Sequence, residues 1–178
     1  MKINKLSGSV LARNLPVGAI RIGFGYVGII DNRFTRATRE NSGVITFNGR
    51  AAFGPRTHIS CNGNLKFDCS VSVNGRSDII CWNDITIGDG FLMSWDCLLM
   101  DTDFHKIMND DGENLNPDGS IKIGEHVWIG CRIVILKNSI VPSDCVIAAG
   151  STIAGKLVTP KAIYKDKEAI KTGINWKD

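Results

Sequence analysis

Three histidines and six cysteines hold most of the chemically reactive side chains of this 178-residue chain. His105 stands apart by its setting: it closes the segment "DTDFH" and opens the polar stretch "KIMNDDGENLNPDGS" at 106–120. Imidazole has an ordinary pKa close to neutral pH, so it can take up a proton and give it back under working conditions. Asp103, two residues earlier, could orient such a ring or simply stabilise the turn. His58 in "PRTHIS" and His126 in "GEHVW" read as turn or surface residues. Cys61, Cys69, Cys81, Cys97, Cys131 and Cys145 show no CxxC spacing, which argues against a zinc ribbon or a thioredoxin-like pair. They read as small, reduced, buried residues. No serine or cysteine is visibly paired with a histidine as an activated nucleophile. Asp110, Asp111 and Glu113 read as a solvated loop, and Trp82 and Trp95 as packing or outward-facing residues.

The elements that must position His105 emerge from a six-residue beat. From residue 121 the chain divides into IKIGEH, VWIGCR, IVILKN, SIVPSD, CVIAAG and STIAGK, with Ile123, Ile129, Ile135, Val141, Ile147 and Ile153 in the third place. Six residues are too few for a helical repeat but fit one short strand and a turn. Three such units close a triangular coil of about 18 residues, and coils stack at the strand-ladder spacing with the aliphatic residue pointing inward. Small residues suit the corners, where unusual backbone angles are needed.

The beat runs earlier as Phe47, Phe53, Ile59; then Phe67, Val73, Ile79, Ile85; then Ile87, Met93, Leu99, each slip inserting two residues. This predicts an all-β, single-domain parallel β-helix over about 45–158, an irregular N-terminal part over 1–44, and a C-terminal extension over 159–178. Within that extension "KDKEAIKTGIN" could carry a short helix. Counting sixes from Ile87 passes Met93 and Leu99 and arrives at His105, where an imidazole takes an aliphatic place. The fifteen residues at 106–120 then form a loop ejected from the coil, and a loop of that length inside a repeat is more often functional than accidental.

Composition narrows the partners. The chain is 43% hydrophobic and 22% charged, with a net charge of +3. Its basic residues are scattered, so a nucleic-acid or polybasic membrane surface is not expected. No apolar stretch approaches twenty residues and the N-terminus lacks a signal-peptide core, so a cytoplasmic protein without membrane insertion is expected.

The segments "IGEHVWIGCRIVIL" and "VIAAGSTIAGK", following "DTDFH" and the loop, resemble the hexapeptide-repeat acyltransferases, in particular the maltose, galactoside and polysaccharide O-acetyltransferase group. The resemblance covers about residues 45–158. It implies a left-handed coil, opposite to the usual crossover rule, and an O-acetyltransferase that moves an acetyl group from acetyl-CoA to a sugar hydroxyl. In that reading His105 is the general base, Asn74 matches the family's asparagine and orients the acceptor or the histidine, and Asp103 is a further candidate. A backbone N–H or polar side chain would meet the oxyanion. The pantetheine arm would lie in a groove between subunits of a homotrimer, against Trp128, Cys131, Ala149, Ala154 and Gly155, with Lys156 as a phosphate partner. No metal is expected. The family's GNPA-like turn is replaced here by "IYKDKEAIK". Two other readings remain open at this stage: a zinc-dependent carbonic-anhydrase-like protein using three histidines, and a non-enzymatic β-helix scaffold.

Overall fold

The structure, a computed structural model, describes residues 1–24 and 36–177. Among these residues there is no helix, and the strands form three faces of a prism with seven, six and eight strands. Within each face the strands pair in parallel, coil on coil, except for a closing antiparallel hairpin. The chain passes from the first face to the second, the third and back to the first, as in the successive strands Thr38–Asn41, Val44–Phe47, Ala51–Phe53 and His58–Cys61.

The third-place residues form the core. Phe47 stacks under Phe67, and Phe67 under Ile87 and then Ile123. Phe53, Val73, Met93, Ile129 and Ile147 make a second column, and Ile59, Ile79, Leu99, Ile135 and Ile153 a third. All are buried. Dry columns of this kind remove apolar surface from water while the ladders pair the backbone of the interior strands on both sides.

The two-residue slips have a structural cause. In the earlier coils the strands His58–Cys61 and Asn64–Phe67 each carry two inward residues, Ile59 with Cys61 and Leu65 with Phe67. Cys61 pairs in register with Cys81. The Cys81 thiol is held protonated by the neighbouring Cys61 thiol and by burial, and burial pushes Cys97 up to about 11. Four cysteines are buried as expected, but Cys69 is exposed and Cys131 half-buried, because both lie at corners.

Two expectations are corrected. Coiling begins at Lys2–Leu6 rather than near residue 45: that strand pairs with Thr38–Asn41, Ser9–Ala12 with Val44–Phe47, and Ile20–Ile22 with Ala51–Phe53. The beat is lost there because Arg39 and Asn41 take the places below Ile59 and Cys61. The tail forms no helix; Ala162–Lys165 and Glu168–Thr172 make the antiparallel hairpin that closes the third face. Tyr164 is buried as its cap, its hydroxyl donating to the Thr159 carbonyl at 3.0 Å and accepting the Thr159 amide at 2.8 Å. Alternation in "AIYK" and the turn at Asp166, in the left-handed region at φ 53°, favour a hairpin.

Candidate active site

The ejected loop leaves the prism at the corner between the first and second faces, just after the strand Leu98–Met100. Asp101 governs that exit. Its fully buried carboxylate accepts the amides of Trp82 and Asn83 at 2.6 and 2.9 Å, and its carbonyl accepts the amide of Gly119, where the loop returns, at 3.1 Å. Burial raises the Asp101 pKa, while the amides of Trp82, Asn83 and Asp84 pull it down. One side chain therefore fixes the corner below the loop and one peptide unit joins the loop's two ends.

Beyond Asp101 the chain turns sharply. The Phe104 amide donates to Thr102 Oγ1 at 3.0 Å and Phe104 sits in the left-handed region at φ 61°. His105 follows, exposed to solvent, lining a cleft of about 170 Å³ with Trp82, Thr102, Phe104, Asn116 and Asp118. Asn116 ties this segment down. Its Nδ2 donates to the His105 carbonyl at 2.9 Å and to Asp103 Oδ2 at 2.8 Å, and its Oδ1 accepts the Ile107 amide at 2.6 Å. Lys137, from a later coil, donates to Asp103 Oδ2 at 2.6 Å and to the carbonyls of Asn116 and Pro117. The Lys137 ammonium and the Asn116 amide hold the Asp103 carboxyl below its ordinary pKa. Asp103 thus anchors the loop to Lys137 and Asn116, and the hydrogen bonds of its carboxylate do not go to the His105 ring.

A second feature lies at the corner between the third and first faces. Ser94, Trp95, Trp128, Cys131, Ala148 and Ala149 are among the walls of a largely apolar groove of about 240 Å³. Small residues and glycine build it: a Cβ on Gly130 would approach the Ala149 amide nitrogen and the Ile147 carbonyl to 2.9 Å. The Trp128 indole N–H donates to Ser94 Oγ at 3.3 Å. Trp176, from the tail, stacks on His126 with ring centroids 4.2 Å apart and lies 6.0 Å from Trp128. Narrow, apolar and floored by small residues, the groove fits an extended alkyl-amide chain such as pantetheine.

The candidates named from sequence therefore fall on two corners. Trp128, Cys131 and Ala149 meet in the groove. Asn74 is at the same corner one coil below, its amide bonded to the Met93 carbonyl, next to Ser94. His105 and Asp103 sit at the other end of the strand Leu98–Met100, and Ala154, Gly155 and Lys156 follow Thr152–Ile153 on that same first–second corner, in the last coil. The first face thus separates His105 from the groove within one chain. His58 starts a first-face strand 3.8 Å from Asp78, and His126 sits at the second–third corner, its Nδ1 2.9 Å from Asp144. The three histidines occupy three different corners, so one chain by itself does not bring them together as a three-histidine zinc site would require.

Asp101, Asn116 and Lys137 are the residues that sequence reading missed. Asp101 could have been found by counting: Cys61, Cys81 and Asp101 recur every twentieth residue, and the Asp101 carboxylate lies beside the Cys81 thiol.

No family model matches the chain. WbbJ of Escherichia coli K12, named for O-acetyl transfer in lipopolysaccharide biosynthesis, is 26% identical over 129 residues, or 66% of this chain and 66% of that protein. The polysialic acid O-acetyltransferase of Neisseria meningitidis is 32% identical over 82 residues, or 42% of this chain and 38% of that protein. The chain spans less than two thirds of the length of either relative. The crystal structure of the polysialic acid O-acetyltransferase OatWY has the same fold, with a TM-score of 0.61 at 16% identity over 99% of this chain and 90% of that one. The fold is a left-handed parallel β-helix. Its sequence relatives are acetyltransferases. Among the described residues no helix is long and apolar enough to cross a membrane.

Proposed function

We propose that this protein is a cytoplasmic O-acetyltransferase that moves an acetyl group from acetyl-CoA to a saccharide hydroxyl, in the building or decoration of a cell-surface polysaccharide. The observation that carries this reading is the placement of His105: Ile121 and Ile123 take the aliphatic places of the repeat above Ile85 and Ile87, and the imidazole stands outside the coil, exposed beside a cleft in the ejected segment that Asp101, Asn116 and Lys137 tie down. The names of the relatives in lipopolysaccharide and polysialic acid chemistry support the substrate class.

In this mechanism the His105 ring takes the proton of the acceptor hydroxyl as its oxygen attacks the thioester carbonyl, and returns it to the departing CoA sulfur. Transfer is direct, in a ternary complex without an acyl-enzyme. Asn116 bonds the His105 carbonyl and so fixes the backbone that carries the ring. Trp128, Cys131 and Ala149 hold the pantetheine arm, and Ala154, Gly155 and Lys156 meet the donor from a second copy. The separation of His105 from the groove within one chain supports a site shared between copies, most simply in a closed homotrimer. Ile107, Met108 and Leu115 in the loop are exposed apolar side chains that such a neighbour would cover.

Replacing His105 by Ala is expected to lower the transfer rate about 10²–10⁴-fold in an assay with labelled acetyl-CoA and a saccharide panel. Activity within a few-fold of the parent protein removes His105 from the mechanism.

A further inference from the structure

We propose that Trp82 and Phe104 form a shelf on which a pyranose ring of the acceptor lies while His105 engages one of its hydroxyls. This deepens the reading of His105 as the transferring base and rests on it for the reaction, though not for the binding.

Both rings line the cleft beside His105. They meet edge to face, with centroids 5.1 Å apart and planes at 79°, and Trp82 remains 40% and Phe104 53% exposed. Other large apolar side chains are exposed on this molecule, but Trp82 and Phe104 are the pair that meet ring against ring on the wall of the cleft that holds His105, which gives that cleft an apolar surface open to an occupant. Their backbones are rigid. The buried Asp101 carboxylate fixes the Trp82 amide at 2.6 Å, and Thr102 Oγ1 fixes the Phe104 amide at 3.0 Å.

A pyranose presents complementary chemistry. One face of the ring carries several C–H bonds with partial positive charge, which suits the negative face of an aromatic ring, and stacking removes apolar surface of both from water. Its hydroxyls need donors and acceptors around the edge. Lys106, Asn114 and Asp118 supply both on the remaining wall of the same cleft. Because Phe104 immediately precedes His105, a ring lying on the shelf keeps its hydroxyls within the neighbourhood of the imidazole.

The test uses the full chain and a panel of methyl pyranosides in the galacto, gluco, manno and sialic acid series. Saturation-transfer NMR is expected to show transfer from the aromatic protons of the protein to the C–H protons of at least one pyranoside, and to lose it in Trp82→Ala and Phe104→Ala. In steady-state assays the same variants are expected to raise the KM for the saccharide about tenfold, with the KM for acetyl-CoA unchanged and Trp82→Phe restoring most of the loss. Circular dichroism confirms that the variants are folded, and the two substitutions are independent should one fail. Absence of transfer to every pyranoside in the parent protein, or an unchanged saccharide KM in both alanine variants, overturns the shelf. A parent protein that binds a pyranoside on these rings but acetylates none retains the shelf and overturns the catalytic reading alone.

Discussion

The carboxylate of Asp101 lies directly above the corner that carries Trp82, accepting the amides of Trp82 and Asn83 at 2.6 and 2.9 Å. A buried carboxylate is costly unless its oxygens are filled, and here the backbone fills them. Replacing Asp101 by Ala takes the acceptor from two partly buried N–H groups, each worth up to about 1–3 kcal/mol. Asp101→Ala is therefore expected to lower unfolding stability by on the order of 2–4 kcal/mol, and Asp101→Asn, which keeps one acceptor, by less. Denaturant titration of the two variants checks the order; equal midpoints for Asp101→Ala and the parent would dismiss the anchor.

Asp103 gives a pH dependence of known sign. Its folded pKa lies below the ordinary carboxylate value because of Lys137 and then Asn116. A depressed acid stabilises the fold above its unfolded pKa, and that contribution is lost as pH falls through the lower, folded value. The loop is thus expected to stay tethered through mildly acidic pH and to loosen only below the usual Asp range of about 3.9. Carboxyl-carbon NMR should place the Asp103 midpoint under that range and move it upward in Lys137→Met. A midpoint that ignores the substitution would mean that the 2.6 Å contact does not persist in solution.

The core and the site differ in how far they could be read from the residues. Ile59, Ile79 and Leu99 announce their column because each must fill the same interior place on successive coils, a demand that tolerates little except bulk and apolarity. Arg39 stands in that column too and broke the count, so the first coils were invisible. His105 was legible as an interruption of the beat, and Trp128 and Ala149 by resemblance. The link from Asp103 to Lys137 was not, since two residues 34 positions apart meet only because the loop folds back over a later coil. Asn74 and His105 are likewise separated by the width of a face, a distance that spacing along the chain does not encode.

Phe67 is the centre of the aromatic part of the core. It stacks on Phe47 at 5.1 Å and 9° and meets Phe53 edge-on at 5.2 Å, and it is fully buried. Neighbouring coils are held by their ladders, so the cavity left by truncation collapses only in part. Phe67→Ala is expected to cost about 3–5 kcal/mol, whereas Phe67→Leu keeps most of the volume and costs less. Thermal unfolding of the pair measures this, and a midpoint for Phe67→Ala level with that of Phe67→Leu would count against a tightly packed aromatic cluster.

Ala149 offers a test of the groove that leaves the fold intact. Its side chain is exposed at the corner, on the wall shared with Trp128 and Cys131, so a larger residue there fills the groove without entering the core. Ala149→Trp is expected to weaken CoA binding by at least about tenfold, a change of about 1.4 kcal/mol, while the unfolding midpoint and pyranoside binding at the His105 cleft stay as in the parent. Calorimetric titration with CoA reads the first quantity and thermal unfolding the second. Undiminished CoA affinity would move the donor site away from this corner, and with it the reason for bringing His105 of one copy to the groove of another.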